Sequence, residues 1–346
     1  MRYTLPVLPK LPTMPFDTVI DVRSPAEFAE DHMPGAINLP VLDDVERAEV
    51  GTIYVQDSPF KARKIGAALV ARNAARHLEQ SLMDKDGGWK PLVYCWRGGQ
   101  RSGSFTTILR QVGWRAALVE GGYKAYRQLV RQALYEQDFA TKVVLLDGNT
   151  GTAKTDILAA LAKRGVQVID LEGLANHRGS LFGARAGGQP SQKAFESALV
   201  HVIAALDPAK PVVIEAESSK IGQIVVPPKL WAAMRAARRF EVQAPLAARA
   251  RYLATAYGDI IEDRTRLAGV LDKLRNYQPA DTIARWHALA DAGEMETLAA
   301  GLMAEHYDSR YAKARAEKTE ITPLQTNGLT EADIENLAAR VEAGLS

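Results

Sequence analysis

The chain has 346 residues, 47% of them hydrophobic and 24% charged, with a formal net charge of +2. That length and apolar content suit a globular protein of two domains with two sizeable cores. The balance of charge admits a nucleic-acid partner without requiring one, and the single cysteine, Cys95, excludes an internal disulfide.

No apolar run reaches the length of a membrane span. The segment Met1–Phe16 lacks a basic-then-apolar signal pattern. Lone-cysteine usage fits a reducing compartment. The expectation is a cytoplasmic chain with no membrane partner. The sequence leaves the oligomeric state open, with a monomer favoured.

In chain order, Asp17–Arg23 is a short β-branched run closed by the turn-prone Ser24–Pro25, and reads as a first strand. A short helix over Ala26–Glu30 and a strand over Gly35–Pro40 follow. Residues 57–83 carry helical spacing. Lys90–Cys95 is a compact strand that ends at the cysteine, Ser102–Val112 a helix, and Arg115–Glu120 a strand before the Gly121–Gly122 turn. A second alternation begins with the strand Lys142–Asp147. A glycine-rich loop, a helix ending near Arg164–Gly165, and strands at Val166–Asp170 and Pro211–Glu215 follow. Beyond about residue 245 the strands fade into an Ala- and Arg-rich helical region with Pro279 as a breaker. Strands alternating with helices predict α/β domains, each a parallel sheet covered by helices on both faces. The domains are expected at residues 1–135 and 140–346.

The loop Cys95-Trp-Arg97-Gly98-Gly99-Gln-Arg101 lies between a predicted strand and helix. Backbone N–H groups at a helix N-terminus bind anions, and the glycines let the backbone curl. Arg97 and Arg101 bring positive charge, which favours a thiolate at Cys95 and steadies an oxyanion. A thiolate in such a cradle can attack phosphorus, sulfur or selenium. The competing reading is a buried cysteine under a surface arginine loop. Five residues separate Cys95 from Arg101, so selenophosphate and a phosphoester both fit. Upstream, Asp21-Val-Arg23-Ser24-Pro25-Ala-Glu27-Phe28 and Met33-Pro-Gly-Ala-Ile-Asn38-Leu-Pro40 resemble the first-strand signature of the rhodanese superfamily. By that resemblance Asp21 and Arg23 organise the domain rather than react.

The second motif is Gly148-Asn149-Thr150-Gly151-Thr152-Ala153-Lys154-Thr155, following a strand and preceding a helix as a P-loop must. Its N–H groups would cradle a diphosphate, Lys154 would reach the terminal oxygens, and Thr155 would bind Mg²⁺. Ala153 replaces the usual glycine. Either its backbone adopts an ordinary conformation, or phosphate affinity suffers. Asp170 and Glu215 end the following strands and could complete the site, with Glu217 two residues on; a structural role fits each equally. The loop Asn176-His177-Arg178-Gly179-Ser180 offers further anion-binding groups. His177 reads either as an acid–base group or as a hydrogen-bonded loop residue.

Taken together, these motifs are similar to those of the bacterial tRNA 2-selenouridine synthase family. The resemblance runs over roughly residues 17–260. It rests on Glu46–Tyr54, Cys95–Gly103, Val119–Arg127, the phosphate loop, Asp170–Ser180 with Phe182-Gly183, and Glu215–Gly222. It implies a rhodanese-like domain followed by a P-loop NTPase-like α/β domain with a helical C-terminal region. It also implies a tRNA carrying wobble 2-thiouridine as partner, and a supply of selenophosphate. Geranyl diphosphate would geranylate the sulfur, and selenium from selenophosphate, taken up at Cys95 as a persulfide-like selenide, would then replace the geranylthio group. The alternative is a cysteine-dependent phosphatase or sulfurtransferase fused to a nucleotide-binding regulatory domain, the nucleotide domain in a further variant having no turnover.

For RNA contact the sequence offers Arg235, Arg238, Arg239, Arg249, Arg251, Lys273 and Arg275, with Tyr252, Tyr257 and Trp286 nearby for stacking. Each arginine reads equally as part of a solvated helix face.

Overall fold

The computed structural model describes residues 1–8, 13–308 and 320–345. The first unit is built on five short strands: β1 (Arg2–Tyr3), β2 (Thr18–Asp21), β3 (Ala36–Asn38), β4 (Pro91–Tyr94) and β5 (Ala117–Val119). They pair in the order β1-β5-β4-β2-β3, parallel throughout. All four residues of β4 are buried, as an inner strand with both faces covered requires. The helices are α1 (Pro25–Glu30), α2 (Asp44–Gln56), α3 (Pro59–Gln80), α4 (Gln100–Val112) and α5 (Gly122–Arg131). Ile20, Val93, Phe105 and Leu109 centre the core, and Trp89 meets Trp114 edge to face at 5.1 Å.

Asp21 and Arg23 are buried together. The guanidinium donates to both carboxylate oxygens, donates from Nη2 to the Asp31 carbonyl at 2.6 Å, and lies 4.0 Å from the Tyr123 ring centroid. A buried charge needs this full set of partners, so the pair is a structural clamp.

The second unit contains β6 (Val143–Gly148), β7 (Gln167–Ile169), β8 (Val212–Glu215), the hairpin β9 (Lys220–Ile221) and β10 (Ile224–Val225), then β11 (Arg238–Gln243) and β12 (Ile321–Gln325). Its main sheet runs β7-β8-β6-β11-β12, again parallel. The first-formed strand, β6, therefore sits at the centre, where the loop that follows it opens between neighbouring strands. The expectation that strands end near residue 245 fails at β12. This edge strand is mostly exposed and carries Pro323, so it lacks the apolar run that marks an inner strand; proline is tolerated at an edge. The helix expected after the phosphate loop is present as α6 (Lys154–Lys163); the short α7 (Leu171–Leu174), α8 (Gln192–Ala204) and α9 (Pro228–Ala236) were not anticipated, and α10 (Leu246–Ala256) begins the expected helical region. Further on, Ile283, Trp286, Leu298 and Leu302 join Leu267 and Leu271 in a separate core cluster.

The two compact units comprise residues 1–138 with 190–205, and 139–189 with 206–346. The division expected at 1–135 and 140–346 is thus crossed by one segment: α8 packs within the first unit. Its polar face explains why. Ser197 Oγ donates to Asp31 Oδ2 at 2.9 Å, Tyr123 OH donates to the same oxygen at 2.6 Å, and Glu196 pairs with Arg127. Asp31, Tyr123, Glu196 and Ser197 are buried and Arg127 is partly so; without α8, Asp31 would lose one donor and Arg127 its carboxylate. Replacing Glu196 with alanine leaves the Arg127 charge unmatched and should destabilise the first unit by about 3 kcal/mol. Denaturant unfolding, followed by tryptophan fluorescence, would read this as a lower midpoint.

Candidate functional site

Cys95 follows β4 directly. Its thiol is buried, and Sγ accepts a hydrogen bond from Ser102 Oγ at 3.0 Å. The loop is held against the turn before α5: Tyr123 N–H donates to the Cys95 carbonyl at 2.8 Å and Lys124 N–H to the Trp96 carbonyl at 3.0 Å. Two glycines permit this approach. Gly98 has φ +66°, and a Cβ there would stand 2.6 Å from the Val119 carbonyl oxygen. Gly122 has φ +59°, and its Cβ would stand 2.3 Å from the Cys95 oxygen. Gly99 caps α4 without a side-chain hydrogen bond, which leaves first-turn N–H groups for an anion. Arg97 is exposed. Arg101 departs from expectation: Nη1 reaches Glu27 Oε2 at 2.7 Å. Burial pushes the Glu27 carboxyl upward, yet the Arg101 hydrogen bond and charge hold it below its ordinary value. The Arg101 charge is therefore balanced by Glu27, and the groups the loop leaves available are the first-turn N–H groups of α4 and the exposed Arg97.

In the second unit, Thr150 to Asp156 line a polar pocket of about 310 Å³ with Arg178, Arg185 and Tyr252, termed the anion pocket for its loop N–H groups and cations. Gly148 and Asn149, at the start of the loop, brace it through their carbonyls: the Gly148 carbonyl accepts from Lys154 Nζ at 3.0 Å, and the Asn149 carbonyl accepts from Thr152 Oγ1 at 2.8 Å. Ala153 sits at φ 57°, ψ 29°, in the left-handed region that disfavours a side chain. The ordinary-backbone alternative is thereby excluded. Arg249 was grouped by sequence with RNA-contacting arginines. It instead turns inward, donating to the Thr150 carbonyl at 3.2 Å while pairing with both Asp308 oxygens.

Two carboxylates, Glu172 and Glu217, face the pocket. Glu172, a few residues into the Asp170–Ser180 run, was not singled out from sequence; its place in the first turn of α7, just after a strand, was the available signal. Burial first, and then the Glu217 charge, push its carboxyl up to about 8 against the pull of Lys154. Burial likewise raises Glu217. Thr155 Oγ1 lies 3.4 Å from Glu172 Oε2. Hard oxygen donors of this kind suit Mg²⁺, although no group of three or more potential His, Cys, Asp or Glu ligands occurs among the described residues.

Three expected site residues lie behind the pocket. Glu215 is fully buried and its Oε1 accepts from the Glu172 N–H at 2.8 Å. Asp170 caps α7, accepting from Gly173 N–H at 2.7 Å. His177 Nδ1 accepts from Gly179 N–H at 3.1 Å, and burial lowers its pKa, so of its two readings the loop-holding one fits. Arg178 lines the pocket and stacks over Tyr257 at 4.7 Å. Trp286 is wholly buried and unavailable to a base. Arg239 belongs to β11 and pairs with Asp147 at 3.0 Å.

Sequence reading did not anticipate an apolar cavity in the same unit. Leu253, Ile260, Leu267, Leu298, Leu302 and Met303 line it. Thr150, Ser180, Leu253 and Tyr257 border both this cavity and the anion pocket.

Residues 141–277 match the family described as tRNA 2-selenouridine synthase AAA domain, and residues 10–129 match the rhodanese-like domain family. The tRNA 2-selenouridine synthase of Chromohalobacter salexigens is 35% identical over 324 residues, covering 85% of this chain and 86% of that protein. The protein of that name from Psychromonas ingrahamii is 35% identical over 251 residues, 72% of this chain and 67% of its own length. The one from Nitrosomonas europaea is 36% identical over 235 residues, and the alignment spans 67% of this chain and 61% of that protein.

Two outcomes follow from the pocket. Ala153→Gly should relieve the left-handed strain and stabilise the second unit by up to about 1 kcal/mol, net of the added freedom of the unfolded chain, seen as a raised Tm. A carboxyl raised in the folded state contributes stability that is full below its ordinary value of 4.5 and is lost as pH climbs through about 8. Glu172→Gln should flatten that decline in a pH series of thermal unfolding curves; an unchanged slope would refute the raised carboxyl.

Proposed function

The chain belongs to the tRNA 2-selenouridine synthase family, and on that premise we propose that it converts a wobble 2-thiouridine of tRNA to 2-selenouridine in two steps. The observation that carries the reading is the shared border of the anion pocket and the apolar cavity. Geranyl diphosphate has those two halves, a diphosphate and an apolar chain. A nucleotide would need polar groups for its sugar and base where this cavity offers leucines and methionines.

In the first step the thiocarbonyl sulfur bonds to geranyl C1 as the C1–O bond to diphosphate breaks, and the base loses its N3 proton. Lys154 and the loop N–H groups stabilise the leaving diphosphate. Thr155 and Glu172 would hold Mg²⁺, which supplies further neutralising charge.

In the second step, at the Cys95 loop, selenium from selenophosphate bonds to C2 of the base as the C2–S bond breaks. Geranylthiol leaves, and water cleaves the Se–P bond to give phosphate. This sequence balances without an oxidant. A sulfur–selenium bond to Cys95 drawn from selenophosphate would instead leave phosphorus reduced, so the persulfide-like carrier is set aside and the Cys95 thiol is assigned the proton that the departing geranylthiolate takes up. The phosphatase alternative loses support because Arg101 is engaged by Glu27. Among the described residues no helix is long and apolar enough to cross a membrane, and a tRNA substrate accords with a cytoplasmic site of action.

The test uses 2-thiouridine tRNA, geranyl diphosphate, Mg²⁺ and selenophosphate, with nucleosides identified by mass. Lys154→Ala should slow geranylation by about 2–4 kcal/mol in the barrier while still converting tRNA that is already geranylated. Cys95→Ala should accumulate geranylthiouridine and lose 2-selenouridine. Full selenation in Cys95→Ala, or undiminished geranylation in Lys154→Ala, would overturn the corresponding assignment.

A further inference from the structure

We infer that a groove in the first unit, between α2 and α3, seats the apolar S-alkyl arm of the modified wobble pyrimidine, with the flanking RNA phosphates on the basic face of α3. The inference rests on the two-step reading above and places its second substrate.

The groove has a volume of about 200 Å³. Sites for whole drug-sized ligands run roughly 300–1,000 Å³, so this one suits one arm of a larger substrate. Leu42 and Val70 form an apolar floor, and both belong to the core cluster that contains Cys95. Val50 and Gly66 line the space between the helices. Gln100 and Arg101, the residues that follow the Cys95 loop into α4, close one end. An apolar recess that opens beside a loop able to hold an anion matches a thioether about to be displaced by an anionic selenium donor.

The surface around it fits RNA. Tyr54, 55% exposed, borders the groove, and a single-stranded base stacks on such a ring. On α3, Lys61, Arg63, Lys64, Arg72 and Arg76 are exposed, while Glu79 is the helix's one acidic residue. Lys61 pairs with Asp57, and Arg47 and Arg101 share Glu27. Arg63 lines the groove itself. Arg63 is thus the α3 cation on the groove side, and Lys61, Lys64, Arg72 and Arg76 lie around the helix on its solvent face, where phosphates flanking a seated base would meet them; the α2 wall carries Asp44, Glu46 and Glu49.

Gly66 keeps the groove open: a Cβ there meets only Val50, at 3.4 Å. Gly66→Leu would fill the space, and Ala67→Phe would block it without pressing on Val50. The measurement is anisotropy binding of anticodon stem–loops carrying S-geranyl- or S-methyl-2-thiouridine to the full chain, with unfolding curves as a check on folding. The wild type should prefer the geranyl RNA. Each groove variant should bind it roughly tenfold more weakly or worse, with the methyl RNA little affected. Arg63→Glu should weaken both RNAs and reduce the dependence on salt. Equal affinity of the wild type for the two RNAs would overturn the inference, as would a geranyl preference that survives in both groove variants. Failure of the two-step reading would show separately, as absence of geranylated nucleoside from the wild-type reaction.

Discussion

Glu215 is wholly buried at the end of β8, and its carboxyl accepts the Glu172 N–H at 2.8 Å. Its second oxygen has no hydrogen-bond partner among the described residues. Burial, followed by the charges of Glu172 and Asp170, drives this carboxyl well above its ordinary value. The hydrogen bond from the Glu172 N–H to Glu215 fixes α7 to the end of β8, and α7 carries Glu172 to the side of Thr155. The spacing of charge around the phosphate loop follows from that bond. Burial raises the Glu172 and Glu217 carboxyls while the Lys154 charge pulls both back, so the three groups set one another's charge.

The Cys95 loop solves a related problem by backbone alone. Gly98 and Gly122 let two chain segments approach until Tyr123 N–H can reach the Cys95 carbonyl. The arginine that might have dominated the site is paired with Glu27. On the proposed function, an anion at this loop would meet directed N–H groups more than net charge.

Much of this was legible in the sequence because the inner strands are short apolar runs bounded by turn residues, and because both loops combine glycines with fixed strand–helix context. What escaped reading depends on contacts remote in sequence. β12 is exposed and carries Pro323, so nothing local marks it. Arg249 and Trp286 look like surface groups until the helical region folds over them. The apolar cavity draws on residues from Thr150 to Tyr307, a span that periodicity cannot relate. Glu172 escaped because a carboxylate in a first helical turn is ordinary; its burial and the nearby Glu217 make it unusual.

The passage of residues 190–205 into the first unit also sets an order of events during synthesis. When the ribosome has made residues 1–138, the chain holds every strand of the first sheet, yet Ser197 and Glu196 do not exist. Asp31 then lacks one hydrogen-bond donor and Arg127 lacks its counter-ion. The first unit is complete only after β6, the phosphate loop and β7 have emerged, so the nascent first unit waits on the sequence of the second.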